Sequence, residues 1–351
     1  MRGRLHDDYV HRRGIEIAGL ILLAFGLDVA AAVGIAYVAG FHAVRVALDH
    51  FSPIWLLPVA GGILLSFVGY YFAYRELYRA QDGPGLPSSQ MRAVVLAGFG
   101  GFFTRGGAAM DRYALEGAGT DEHDARARVA ALAGLEHGAL GLIGTAAGIA
   151  AIATARARPP FDFQYPWAII PIPGMLFAFW LAHRYHDRVR GTQGPVKDKV
   201  KVLLESIDLI RHTFRHPDDH WMGPSGMTLF WLAELAAAWC ALAAFGFQMN
   251  GASFIIGYLT GAVFTRRTGP LAGSGVLMLT LAVTIWYSGA PFGDAVAGVF
   301  LLRFLSFWLP MPFSIASLPT LRRIGEAKGP QAEKDVREEP AVGEPEARKA
   351  G

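Results

Sequence analysis

"GFFTRGG", residues Gly101 to Gly107, closes a short apolar run with an arginine and a glycine pair, and "AVFTRRTG", residues Ala262 to Gly269, repeats the pattern with a second arginine. Each Phe-Thr-Arg follows about a dozen apolar residues and precedes glycine. A run of 10 to 14 apolar residues is too short to cross a hydrocarbon core, which needs roughly 20 residues of helix; it reads as a re-entrant segment or a buried core helix. The two runs, 93–103 and 253–264 continued at 275–288, therefore decide what the rest of the chain builds.

Around them stand six apolar blocks long enough to span, at about 14–40, 54–76, 126–154, 167–185, 223–247 and 295–320. The totals agree with a membrane protein: 53% of the 351 residues are hydrophobic and 17% charged, against about 25% charged in ordinary soluble domains. The formal charge of +3 does not point to nucleic acid, because Lys and Arg gather in short loops between apolar blocks. Cys240 is the single cysteine, which excludes a disulfide framework and a cysteine-based metal site. Arg2, Arg4, Arg12 and Arg13 precede a first block too long for a signal-peptide core, so that block is expected to be a retained helix with its start in the cytoplasm.

Loop charges set the topology. The segments after the second, fourth and sixth blocks and before the third are rich in Arg and Lys, whereas 41–53, 155–166 and 248–252 hold only Arg45, Arg156 and Arg158. Six spans satisfy this count if both short runs enter and return on one side, the first from the cytoplasm and the second from outside. The expectation is an all-α polytopic protein of six spanning helices and two re-entrant hairpins, arranged as two inverted repeats of about 14–154 and 167–322. Matching elements begin at 14 and 167, 54 and 223, 93 and 253, and 124 and 294, offsets of 153 to 170. Short glycine-interrupted segments at matching positions of inverted halves point to a transporter's central site. Val196 to Arg215 reads as an amphipathic helix on the cytoplasmic interface, residues 1–13 as a cytoplasmic N-terminal segment, 14–324 as a single transmembrane domain, and 325–351 as a disordered cytoplasmic tail.

Charged residues at bilayer depth need a partner, a water cavity or a task, since each costs at least roughly 2.5–3.5 kcal/mol at a helix centre. Arg105, Arg266 and Arg267 stand at the expected hairpin tips beside Gly106, Gly107 and Gly269, whose loose backbone N–H groups together with guanidinium forks suit a phosphate. Snorkelling to the interface is the competing reading. Asp111 suits a pair with a tip arginine or Arg303, or an ordinary surface pair. Glu136 and His137 on the third span and Arg303 on its repeat counterpart suit a buried ion cluster lining a shared cavity, or helix-to-helix contact. Glu234 sits mid-span without a charge in reach on its own helix and is expected to face the interior, with protonation by burial as the alternative. His183, His186 and Asp187 have spacing a metal could use, but they lie among arginines at a helix end and read as an interfacial anchor. No catalytic motif, metal site or cofactor fingerprint is present in the sequence.

The order of "GFGGFFTRGGAAMDRYALEGAG", "ARVAALAGLEHGAL", "TRRTGPLAGSGVL" and "AGVFLLRFLSFWLP" resembles the flippase-like family that includes the transmembrane region of lysylphosphatidylglycerol synthases and stand-alone bacterial membrane proteins. The resemblance covers roughly residues 14 to 324. Glu136 matches the family's Glu, His137 stands where arginine is usual, and Arg303 matches the final Leu-Tyr-Arg helix. A proline near the first turn is absent, and Leu277 or Met278 replaces an acidic residue after the late glycines. The resemblance implies movement or binding of a lipid: an anionic or aminoacylated phospholipid, or a polyprenyl-linked one. The segment after Ile324 is too short to hold the family's soluble synthase domain, so the chain is expected not to be an enzyme by itself. Its expected partners are membrane lipids and a membrane or soluble transferase, in a bacterial-type plasma membrane with both termini cytoplasmic. An intramembrane enzyme acting on a lipid phosphate, or a noncatalytic partner of a glycosyl or aminoacyl transferase, is the alternative.

Overall fold

The computed structural model describes residues 14–83, 85–99, 107–154, 162–190, 195–247, 249–265 and 270–326. Regular structure among the described residues is helical throughout. The helices are α1 (Gly14–Ala39), α2 (Phe41–Asp49), α3 (Leu56–Arg79), α4 (Ser88–Phe99), α5 (Gly107–Gly117), α6 (Glu122–Thr154), α7 (Gln164–Ile169) and α8 (Pro171–Arg190). They continue as α9 (Pro195–Arg215), α10 (Pro217–His220), α11 (Met222–Ala243), α12 (Gly251–Thr265), α13 (Pro270–Tyr287), α14 (Phe292–Arg303) and, after a π-helical turn at Phe304–Trp308, α15 (Met311–Glu326).

Four stretches, Pro53–Arg79, Glu122–Thr154, Met222–Ala243 and Phe292–Ile324, are long and apolar enough to cross a bilayer, which makes this a multi-pass membrane protein by length and composition. Val29–Val38 and Phe41–Asp49 add a fifth if taken as one span, bent by 105°. The bend falls at Gly40, whose φ of +84° is a left-handed value that glycine adopts without steric cost. The expected fourth span, 167–185, is divided at Ile170 between α7 and α8, where Pro171 opens the second helix. The outward faces carry Leu57 and Leu64 on α3, Leu142 and Ile149 on α6, and Leu176 and Phe177 on α8, all exposed, as a lipid-facing surface requires.

The centre of the bundle is the pair α3 and α11. Gly62 faces Ala233 and Ala237, Gly69 faces Gly226 and Phe230, and Gly223 faces Glu76, so residue numbers rise on one helix as they fall on the other and the two run antiparallel. A Cβ at Gly69 would stand 2.5 Å from the Gly226 carbonyl oxygen, and one at Gly226 2.6 Å from that of Gly69. With lipid as apolar as leucine, such close backbone approach is what holds helices together.

Two shorter helical pairs pack beside this centre. In α12 and α13, Gly257 meets Ser288 while Gly261 meets Leu281 and Thr284, an antiparallel arrangement. At 1.5 Å per residue α4, α5 and α12 are about 18, 16 and 22 Å long, short of the ~30 Å hydrocarbon thickness. The connecting residues 100–106 and 266–269, with Arg105, Gly106, Arg266, Arg267 and Gly269, lie outside the described residues. α4 packs on α15, where the Ser314 hydroxyl donates to the Leu96 carbonyl at 2.5 Å, and α12 packs on α6. α1 lies against α13 and α14, and α8 against α6.

The helix α9 covers Pro195–Arg215, and its apolar residues divide between two surfaces. Leu204, Leu209 and Ile210 are buried, Ile210 meeting α6 at Gly134, whereas Val200, Leu203 and Phe214 are exposed. His123 at the start of α6 fastens it through Glu205 at 2.6 Å.

Candidate functional site

Four polar side chains from four helices converge inside the apolar centre. Glu234 on α11 accepts a hydrogen bond on one oxygen from the Tyr258 hydroxyl of α12 at 3.2 Å, and its other oxygen lies 3.2 Å from the Ser66 hydroxyl of α3, whose single hydrogen is shared with the Ile63 carbonyl at 2.8 Å. Arg303, the last residue of α14, acts electrostatically on both Glu234 and Tyr258. Its guanidinium also lies 4.7 Å from the centre of the Phe307 ring, one turn along. The π-helical turn begins at the very next residue, Phe304. Such turns shift the register of a helix by one residue, and here the shift falls where the cation must be aimed.

Depth explains why these four meet. Ser66 lies ten residues into α3, Glu234 nine from the end of α11, Tyr258 seven into α12 and Arg303 eleven into α14. Those helix ends share one face: the Ser52 N–H donates to the Ala244 carbonyl at 2.7 Å, and Gly293 rests against Ala43. At 1.5 Å per residue the four groups sit about 10–17 Å below it, close to the middle of a ~30 Å core. A carboxylate there costs at least roughly 2.5–3.5 kcal/mol, and two hydrogen bonds to a charged acceptor, at about 1.5–3 kcal/mol each, are of the size needed to offset it. Arg303 supplies the opposite charge. Glu234 is thus turned toward Ser66 of α3 and Tyr258 of α12.

The remaining expected residues are placed more variously. Glu136 is buried on α6, and its carbonyl accepts the Trp231 indole N–H at 2.9 Å, tying α6 to α11. The His137 ring is bound through Nδ1 to the Ala133 carbonyl of its own helix at 2.6 Å, the contact of a locally satisfied histidine. Gly107 is the first residue of α5, and His183 is exposed. No group of three or more metal-ligating side chains occurs among the described residues.

Asp111 forms a second buried centre. It lies on α5, outside the four spans, at 3% exposure, and Tyr74 of α3 is its hydrogen-bond partner; Arg105, one of the arginines considered for it from sequence, lies outside the described residues. Its Oδ1 has no hydrogen-bond partner among the described residues. Burial pushes the carboxyl up to about 8, while the Tyr74 hydrogen bond pulls it the other way. Tyr70, Tyr74 and Tyr78 recur every four residues and so share one face of α3, their rings 5.1 and 4.9 Å apart in succession. Beyond Tyr78 the buried Arg128 caps the end of α3, donating to the carbonyls of Leu77, Tyr78 and Ala80 at 3.2, 3.1 and 2.8 Å and to Asp124 at 2.9 Å.

Ser66, Tyr74 and Tyr258 were not singled out by sequence reasoning. Each is one hydroxyl among several on its helix, and the available signal was that hydroxyls at such depth seek polar partners on neighbouring helices. No protein-family model matches the chain, and no curated protein matches it.

Proposed function

We propose that this chain is a membrane-embedded lipid translocase or lipid-binding transporter built from two inverted halves, with Glu234, Arg303, Tyr258 and Ser66 at its central site. The observation that carries this reading is the meeting of a carboxylate, a guanidinium and two hydroxyls near mid-depth on helices drawn from both halves. Ionisable groups at that depth mark substrate or ion pathways.

The inverted repeat draws support from the exchange of packing partners. Let α3 stand for α11, α4 for α12, α5 for α13, and α6 for α14 with α15. Then α4 against α5 becomes α12 against α13, α4 against α15 becomes α12 against α6, and α3 against α6 becomes α11 against α14; each of these contacts is present. The central pair α3 and α11 maps onto itself and runs antiparallel, as a two-fold axis in the membrane plane demands. On this reading α4–α5 and α12–α13 are re-entrant hairpins, and α1 and α8 complete six spans. Arg105, Arg266 and Arg267 stand at hairpin tips suited to a head-group phosphate. The termini are cytoplasmic and the membrane is of the bacterial plasma type. The resemblance to the flippase-like family supports a lipid as cargo: an anionic, aminoacylated or polyprenyl-linked one.

Vesicles reconstituted with the full chain and fluorescent anionic lipids test the proposal. Lipid movement that falls at least tenfold in Glu234→Gln and in Arg303→Leu is the expected result, with a further loss in Arg105→Ala combined with Arg266→Ala. Movement unchanged in all three removes the site assignment. Absence of movement in the unaltered protein removes transport, and a mass change in the lipid would establish the enzyme reading in its place.

A further inference from the structure

Asp111 is not explained by the central site. It is buried on the second arm of the first helical pair, and its hydrogen bond to Tyr74 joins that arm to the core helix α3. The charged and titratable groups around it come from every element that packs on α5. From α3 the tyrosines Tyr74 and Tyr78 act on it directly. From α4 comes Arg92, exposed and bonded to the Ser88 carbonyl. From α6 comes Arg128, engaged by Asp124 and three carbonyls. From α15 come Arg322 and Arg323, the latter bonded to the Pro319 carbonyl, and on α5 itself Arg112 pairs with Glu116 at 3.3 Å. Among the described residues, hydroxyls and not cations face the carboxyl.

A carboxylate that accepts a hydroxyl on one oxygen and has no described partner on the other is poorly compensated when ionised and well accommodated when protonated. We infer that Asp111 is a proton-binding site at the place where α5 meets α3, neutral when loaded and an anion held by the Tyr74 hydroxyl when released. In the loading step the carboxylate takes a proton from water and becomes a neutral acid; release returns the proton to water. The buried neutral acid needs no counter-charge, while the buried anion draws on the Tyr74 hydroxyl and leaves its other oxygen to be satisfied by water. Coupling of this step to a transmembrane pH gradient rests on the transport reading above; proton binding itself does not.

Infrared difference spectra of the full chain in lipid nanodiscs, recorded through a pH titration, test the inference. The expected result is a protonated-carboxyl band that titrates near or above neutral pH and is lost in Asp111→Asn. In Tyr74→Phe, loss of the donor that stabilises the anion moves the midpoint of the same band upward by about 0.5–1 pH unit. A band that survives Asp111→Asn, or no such band in the unaltered protein, overturns proton binding. A midpoint unmoved or lowered in Tyr74→Phe overturns the role given to Tyr74, and this variant carries the test if Asp111→Asn fails to fold. In vesicles, an imposed pH gradient is expected to change the rate of anionic lipid movement at least threefold in the unaltered protein and not in Asp111→Asn. Unchanged gradient response in that variant overturns the coupling. A titrating band without any lipid movement leaves the proton site standing and removes the transporter.

Discussion

Glu234 and Asp111 are both carboxyls inside an all-helical bundle, and each is bonded by a tyrosine that joins a short helix to the central pair. They differ in company. Glu234 receives two hydroxyls and lies within Coulombic reach of Arg303, whereas Asp111 is bonded by one hydroxyl and meets no described cation. The first environment suits a fixed charge, because donors and a counter-ion replace the water that is missing. The second suits a group that changes its charge. On the inference drawn above, one carboxyl holds its charge and the other changes it.

The largest expected effect tests the fixed charge. Arg303→Leu leaves Glu234 without its counter-ion and is expected to cost about 3–5 kcal/mol of stability, measured as the loss of unfolding free energy in detergent. Glu234→Gln in the same chain should restore most of that loss, and an additive double variant would show that the two charges do not interact. Next in size is Tyr258→Phe. Removing a donor from an ionised acceptor is expected to cost about 1.5–3 kcal/mol by the same measurement, and a loss under 0.5 kcal/mol would mean that Glu234 is neutral.

The helical class and the four long spans were legible because apolar length alone determines them. The amphipathic segment was legible as a helix but not as to its burial, since Leu204 and Leu203 carry the same hydropathy and only contact with α6 separates them. Glu234 was found by cost: an acid among Leu, Ala and Trp has to face something. What it faces was hidden, because Ser66 lies 168 residues earlier in the chain and Tyr258 looks like an ordinary aromatic. Asp111 was noticed for its charge and read as pairing with an arginine or as an ordinary surface pair; in a sequence a neighbouring cation is conspicuous and a tyrosine about five turns into another helix is not.

The pH dependence separates the two carboxyls further. Asp111 has its carboxyl raised from the ordinary value of 3.8 to about 8, so the folded state binds more protons than the unfolded state between those values. The stability it contributes is fully present below about pH 4 and is lost as pH rises through 8. Thermal unfolding of the unaltered chain should therefore weaken across that window, and Asp111→Asn should remove this part of the slope. Above pH 8 the variant is expected to be the more stable by about 1–3 kcal/mol, since an amide replaces a buried anion. Curves that stay parallel from pH 4 to 9 would show that the carboxyl does not switch.

The smallest effect makes the comparison between tyrosines. Tyr74→Phe at neutral pH removes a hydrogen bond from a carboxyl that is mostly protonated, so its expected cost is about 0.5–1.5 kcal/mol, less than that of Tyr258→Phe. Both substitutions remove the same atom from a buried ring, and the change in packing is alike; the difference between them reports the charge each hydroxyl serves. Raising the pH from 7 to 9 should increase the cost of Tyr74→Phe, because the acceptor becomes an anion, and leave that of Tyr258→Phe unchanged. Equal costs at both pH values would place the two carboxyls in the same protonation state and erase the distinction between holding and switching.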